Sequence, residues 1–230
     1  MNVDVIGWPE DKNKWCKVLI AMLEYEIIDW KLKVKIGGLG VMSSLMGKAM
    51  IDVDMIWVIL KVEDLEYPAS EPADPIEVII FGEPYLIETK SDPYPARMDG
   101  LSSAIFYSTW NQAIVTTICR CPIIDIYHIN DYHGSLAPIY LLPKVVPCCL
   151  SLHNAEFQGL WPLRTKEEMK EVCSVFNISK EHCMKYVQFG NTFNLLHAAA
   201  SFISMHQKSM GVAGVSDKYG KRSWARYPTL

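Results

Sequence analysis

No uninterrupted apolar run in these 230 residues reaches the roughly 20 that a membrane-spanning helix needs. The amino terminus has no basic lead and no apolar core; it carries Asp4, Glu10 and Asp11 instead, so no secretory leader is expected. Basic residues are not in excess, since 22 Lys and Arg face 26 Asp and Glu. That balance excludes a broad nucleic-acid face, which needs a basic surface. Lys218, Lys221, Arg222 and Arg226 do gather near the end, where a solvated helix is the simpler reading. The seven cysteines lack the paired C-x-x-C spacing of a zinc site; buried free thiols in a reducing compartment fit them better. There is no G-x-S-x-G elbow, and His128 and His133 are not the i, i+4 helix pair of a zinc protease. No repeat or low-complexity tract is present. Asn177-Ile178-Ser179 has sequon spacing, but nothing else points to secretion.

What remains is a globular chain. Half of it is hydrophobic and 21% is charged, enough for a real core in one large or two small domains. Two short apolar runs, residues 123–129 and 145–152, each end in a cluster of His, Asn, Asp or Glu. Runs of this kind fit strands buried on both faces of a parallel sheet. Their polar tips then lie past the carboxyl ends, where open α/β sheets place ligands. Residues 134–142 are long enough for a short crossover helix between them. Taken alone, these residues leave two readings open. Asp131 caps the next helix, with His133 satisfied by backbone, or both face a ligand. The second tip, His153-Asn154, favours the ligand, because two such tips on adjacent strands make a site.

The first tip reads His128-Ile129-Asn130-Asp131-Tyr132-His133 and the second His153-Asn154-Ala155-Glu156-Phe157-Gln158-Gly159. They resemble the H-x-H-D-W-H and H-N-x-x-x-Q-G tips of bacterial glycogen synthases and plant starch synthases. The wording HINDYHGSLAPIYLLP and CCLSLHNAEFQGLWPLRT is similar to the glucan synthase domain of fungal cell-wall α-1,3-glucan synthases, a likeness that runs from Lys17 on. The family's K-x-G-G-L stands here as Lys35-Ile36-Gly37-Gly38-Leu39. The resemblance implies that Lys35, Gly37 and Gly38 contact the sugar nucleotide. It implies that Asp131 and His153 hold the donor glucose as catalytic residues, and that Asn154 and Gln158 shape the pocket. His133 would serve toward the acceptor. No metal and no cofactor is implied beyond the donor, read as UDP-glucose.

Along the chain, residues 1–16 are a polar leading segment and 17–22 a strand candidate. Glycines 37 and 38 open a helix whose first amides could receive an anion. Residues 54–60 read as a second buried strand, and 63–75 as a loop. Residues 77–81 and 85–89 read as a hairpin about Gly82-Glu83-Pro84. At residues 90–94 the chain departs from its relatives, which carry a further strand and loop before the D-P-Y-P-A-R-M-D segment. Either the strand order closes up there, or the chain is a damaged or mis-spliced version. Residues 101–118 are helical, with Tyr107, Trp110 and Asn111 read as core. Thr165 and Glu168 form a capping box for residues 165–176. A short helix follows at 179–186 and an apolar helix packing on the sheet at 193–206, then a last strand at 211–216 and a closing helix at 217–222.

The expected fold is α/β: a Rossmann-like, mostly parallel sheet flanked by helices, the N-terminal half of a two-domain GT-B glycosyltransferase. Residues 17–230 form that half, and the C-terminal nucleotide-binding half is absent. By resemblance, the partners are the nucleotide sugar, an α-glucan acceptor and the missing half, with no nucleic acid. The domain would be cytoplasmic, and the full-length protein would sit in the plasma membrane through parts absent here. Two rival expectations are a non-catalytic remnant and an α-glucan-binding module using Trp161, Tyr132 and Phe157.

Overall fold

Alternating strand and helix signals become, in the computed structural model of the chain, a five-stranded parallel sheet with helices on both faces. The structure describes residues 11–35, 37–68, 76–85, 92–97, 100–121, 123–154, 156–208 and 211–226. β1 (Lys17–Met22) is followed by a small hairpin of β2 (Tyr25–Ile27) and β3 (Leu32–Val34), then α1 (Gly38–Ala49) and β4 (Asp54–Ile59). A second hairpin, β5 (Val78–Ile80) and β6 (Glu83–Tyr85), precedes the long α2 (Leu101–Arg120). The central stretch gives β7 (Ile126–Asn130), the one-turn α3 (Ala137–Tyr140) and β8 (Cys148–Leu152). After these come β9 (Leu160–Pro162), α4 (Lys166–Val175), α5 (Lys180–His182) and a π-turn over Cys183–Val187. β10 (Gln188–Phe189), β11 (Thr192–Asn194), α6 (Leu195–His206), β12 (Val212–Gly214) and α7 (Asp217–Arg226) complete the order.

The main sheet runs β12-β8-β7-β1-β4, all parallel. β1 sits inside it and shows why an unbroken apolar run is needed. Leu19 and Ala21 face the large core with α2 and α6, while Ile20 and Met22 face Leu39 of α1. Each fully buried aliphatic side chain there contributes about 1.5–3 kcal/mol. Tyr107 and Trp110 of α2 are buried, as read from the helical stripe. The Thr165–Glu168 capping box forms as expected.

Several expectations change. β4 is the last strand of the sheet and pairs with β1 alone among the described residues, so its side chains are half-buried rather than buried. The hairpin turns earlier than expected, at Phe81-Gly82, both at positive φ of 55° and 86°. Its second strand is therefore Glu83–Tyr85, and residues 86–91 lie outside the described residues. Residues 90 and 91 of the expected departure at 90–94 lie there too. All seven thiols are free, but Cys119, on α2, is exposed rather than buried. The small β10-β11-β9 sheet was not expected at all.

Candidate functional site

β7 and β8 pair with Asn130 opposite Ser151, so their tips end level on one rim. Asp131 follows at φ 48°, a left-handed conformation that Asp tolerates better than most side chains. The kink swings its carboxylate across to the second tip. There Oδ1 accepts the backbone N–H of His153 at 2.7 Å and that of Asn154 at 3.1 Å. Asp131 is thus no cap for α3, which begins six residues on. Burial raises its carboxyl above the usual range, while those two amides and the nearby His153 pull it back.

The His153 ring points toward Asn130, with Nε2 and Oδ1 3.1 Å apart. Burial lowers its imidazole, and Asp131 and Glu24 oppose that shift. His133 is boxed by the rings of Tyr94, Tyr107 and Tyr132 at 5.4, 6.1 and 4.4 Å. Its Nδ1 has no hydrogen-bond partner among the described residues. Burial drives its imidazole down to about 3, so it stays neutral. His128 lies behind the rim against Ser151 at 2.8 Å, lowered by burial to about 4.

Asn111 of α2, read as core from the sequence, holds this rim from below. Its Nδ2 donates to the His133 carbonyl at 2.9 Å, and its Oδ1 accepts from Leu136 and Ala137 N–H at 2.9 and 3.0 Å. The turn between the tips and α6 depends on Gly159 at φ 65°, where a Cβ would come within 2.7 Å of Tyr132.

The second group of residues comes from the far side of β1. Lys35 Nζ reaches both oxygens of Asp92 at 2.9 Å and lies over the Tyr94 ring, 4.6 Å from its centroid. Glu24, only 8% exposed, accepts from the N–H groups of Gly37 at 2.9 Å and Gly40 at 3.4 Å and from the Tyr94 hydroxyl at 2.9 Å. Glu24, Asp92 and Tyr94 were not singled out from the sequence. Glu24 stands two residues past the end of β1, as Asp131 stands one residue past β7, and that was the available signal.

A cavity of about 600 Å³ joins the two groups, lined by Lys35, Gly38, Asp131, His133, His153 and Asn154 among others. Residues 35, 131 and 153 thus converge from three separate parts of the chain. Gly37 and Gln158 do not line it. A Cβ on Gly37 would lie 2.8 Å from the Glu24 carboxylate, so a larger residue there would push that side chain from its place. Gln158 Oε1 instead accepts from Asn194 at 2.8 Å, behind the rim. A second cavity of about 610 Å³ lies along α4, lined by Lys166, Met169, Cys173 and Lys180 among others and by none of the expected site residues.

Residues 13–208 match the model of the starch synthase catalytic domain. The chain belongs to the starch synthase catalytic domain family. It is 58% identical over 246 residues to cell wall alpha-1,3-glucan synthase ags1 of Schizosaccharomyces pombe, with 97% of this chain and 10% of that protein covered. A second synthase of that yeast, mok13, is 57% identical over 233 residues, covering 92% of this chain and 10% of the relative. The chain therefore spans about a tenth of the length of these curated relatives. The first alignment is longer than the chain, so that relative holds residues within the matched stretch that this family member lacks. The catalytic domain of Starch Synthase IV from Arabidopsis thaliana, solved bound to ADP and acarbose, shares the fold with a TM-score of 0.59 at 16% identity. It covers 91% of this chain and 53% of that one. Among the described residues of this domain, no helix is long and apolar enough to cross a membrane.

Proposed function

We propose that this domain forms one wall of a glucosyltransferase site that moves α-glucose from a nucleotide sugar, read as UDP-glucose, to a growing α-1,3-glucan of the fungal cell wall. The observation that carries this reading is the convergence of Lys35, Asp131 and His153 on one cavity at the carboxyl rim of the sheet. Glycosyl transfer passes through an oxocarbenium-like state, with positive charge growing on the ring and negative charge on the leaving phosphate. Asp131 and His153 hold the donor glucose, with the carboxylate and strand-end carbonyls near the developing positive charge. Lys35 and the Gly38 amide lie toward the phosphate. Asn154 orients the donor, and His133 stands on the acceptor side with a free ring nitrogen. Gly37 and Gln158 support the loops that carry the others.

Residues 17–230 act as the N-terminal half of a two-domain enzyme, facing the cytoplasm within a protein held in the plasma membrane by other segments. The second half supplies the nucleotide pocket and the cations that clamp the diphosphate. Proximity and clamping both need the closed cleft. The 230 residues alone therefore bind donor weakly and do not turn it over.

A chimaera tests the proposal: residues 13–208 replace the matching stretch of the S. pombe synthase ags1, and radiolabelled α-glucan formation is measured. Synthesis that is retained with the wild-type insert and lost with Asp131→Asn supports it. A folded chimaera that makes no glucan favours a non-catalytic remnant, a reading that rests on the extra residues in the ags1 alignment. The glucan-binding alternative has less behind it, because Trp161 and Tyr132 are 4% and 3% exposed and only Phe157 presents a face.

A further inference from the structure

The cavity of about 610 Å³ along α4 takes no part in the proposed transfer, and its lining is one-sided in charge. Arg164, Lys166, Lys170 and Lys180 line it, and among the described residues no carboxylate does, in a chain whose net charge is -4. Arg164 is held by Glu168 at 2.7 Å, whereas the three lysines make no ion pair among the described residues. The acids of α4 turn elsewhere: Glu168 and Glu171 line a separate, smaller cavity beside Trp161. The floor, with Met169 and Ile178, is apolar, and a space of this volume suits a small organic anion.

A nucleophile sits in that floor. Cys173 lines the cavity, its Sγ 3.6 Å from the Sδ of Met169. The fully buried Cys183 thiol hydrogen-bonds to it and holds it below its usual range; burial opposes that shift, and the charge of Lys180 adds to it. The same bond, with burial, pushes Cys183 up, so Cys173 is the reactive member of the pair. We propose that Cys173 is a modification site for small disulfides bearing carboxylates, which the three lysines draw into the cavity and the thiolate attacks. Glutathione disulfide belongs to this class. The Cys173 sulfur bonds to one sulfur of the bound molecule as the old S–S bond breaks, and the other half leaves as a thiolate that takes up the proton lost from Cys173. Cys173 is oxidised to the disulfide level and the departing half is reduced to a thiol, so the bound disulfide is itself the oxidant.

The test treats the folded 230-residue chain at near-neutral pH with dithiobis(nitrobenzoate), a dianionic disulfide, and follows each cysteine by peptide mass mapping. The exposed Cys119 of α2 is the internal reference. Cys173 is expected to react at least about tenfold faster than Cys119, whether it is recovered as the adduct or cross-linked to Cys183. With dithiodipyridine, a neutral disulfide, that ratio should fall at least about fivefold. The double variant Lys166→Gln/Lys170→Gln should lower it too, for the anionic reagent alone. Both lysines are exposed on α4, so their replacement leaves the core intact. A smaller ratio for the anion, or one that either the neutral reagent or the lysine variant leaves unchanged, would overturn the proposal. So would loss of the Cys148 thiol at the rate of Cys173, because Cys148 is 4% exposed and reacts only when the fold opens.

Discussion

The carboxylate of Asp131 grips the backbone of His153, 2.7 Å across the gap between two strand tips, rather than capping the helix that follows it. The residue is thus structural as well as the proposed donor contact, and its variants should separate the two roles. Asp131→Ala strands two amides at a buried rim, at about 1–3 kcal/mol each. We expect a loss of about 2–4 kcal/mol in urea unfolding, against about 1 kcal/mol for Asp131→Asn, which keeps an acceptor. Donor binding should disappear in both, and Asp131→Asn binding like the wild type would remove Asp131 from the site.

Two buried imidazoles give the fold an acid limit. His133 and His128 are lowered from 6.5 to about 3 and about 4 by burial. Below about 6.5 the unfolded chain takes up protons that the folded chain refuses. Stability is therefore complete above that pH and falls as pH drops through the window, by up to about 1.4 kcal/mol per pH unit for each imidazole. Asp131, raised by burial, works the other way and returns part of the loss as the pH falls further. Unfolding free energies measured between about pH 7 and pH 4 should decline, and His133→Gln should flatten the slope.

Asn111→Leu should be far more costly than its place in an aromatic stripe suggests. The change leaves the Leu136 and Ala137 N–H groups and the His133 carbonyl without their partner inside the core. A loss of about 3 kcal/mol or more is expected, with chemical-shift changes spreading to the Asp131 tip. A near-neutral result would mean the loop is held by something else.

Gly159→Ala combines a left-handed backbone with a Cβ set against Tyr132 at 2.7 Å and Leu195 at 2.9 Å. About 2–4 kcal/mol of destabilisation is expected. Thermal melts of Gly159→Ala beside Gly190→Ala isolate the contact term. Position 190 has a similar φ of 59° with open space around it, so its loss should be the smaller.

The sheet and the polar rim at its carboxyl edge were readable because short unbroken apolar runs and their polar tips obey one rule: strands buried on both faces must show their polar residues at the ends. Lys17–Met22, Ile126–Asn130 and Cys148–Leu152 all follow it. The three-residue strands β2, β3, β9 and β11 were not readable, being too short to show a period of two. The hairpin register failed because Gly82-Glu83-Pro84 advertises a turn, whereas the chain turns at Phe81, a residue whose side chain disfavours positive φ. Glu24 was passed over because a carboxylate after a strand looks like ordinary solvated surface. Only coordinates reveal two backbone amides and a tyrosine closing on it.

The position of β4 has a practical consequence. Six residues, Asp54–Ile59, run with β1 on one side, and the described residues place no strand on the other. Such a margin, carrying Trp57, Val58 and Ile59, offers a ready template for another molecule's backbone. Self-association along this margin is thus expected to limit handling of the purified domain before unfolding does, whereas Ile56 and Val58 pack on the core and must stay apolar.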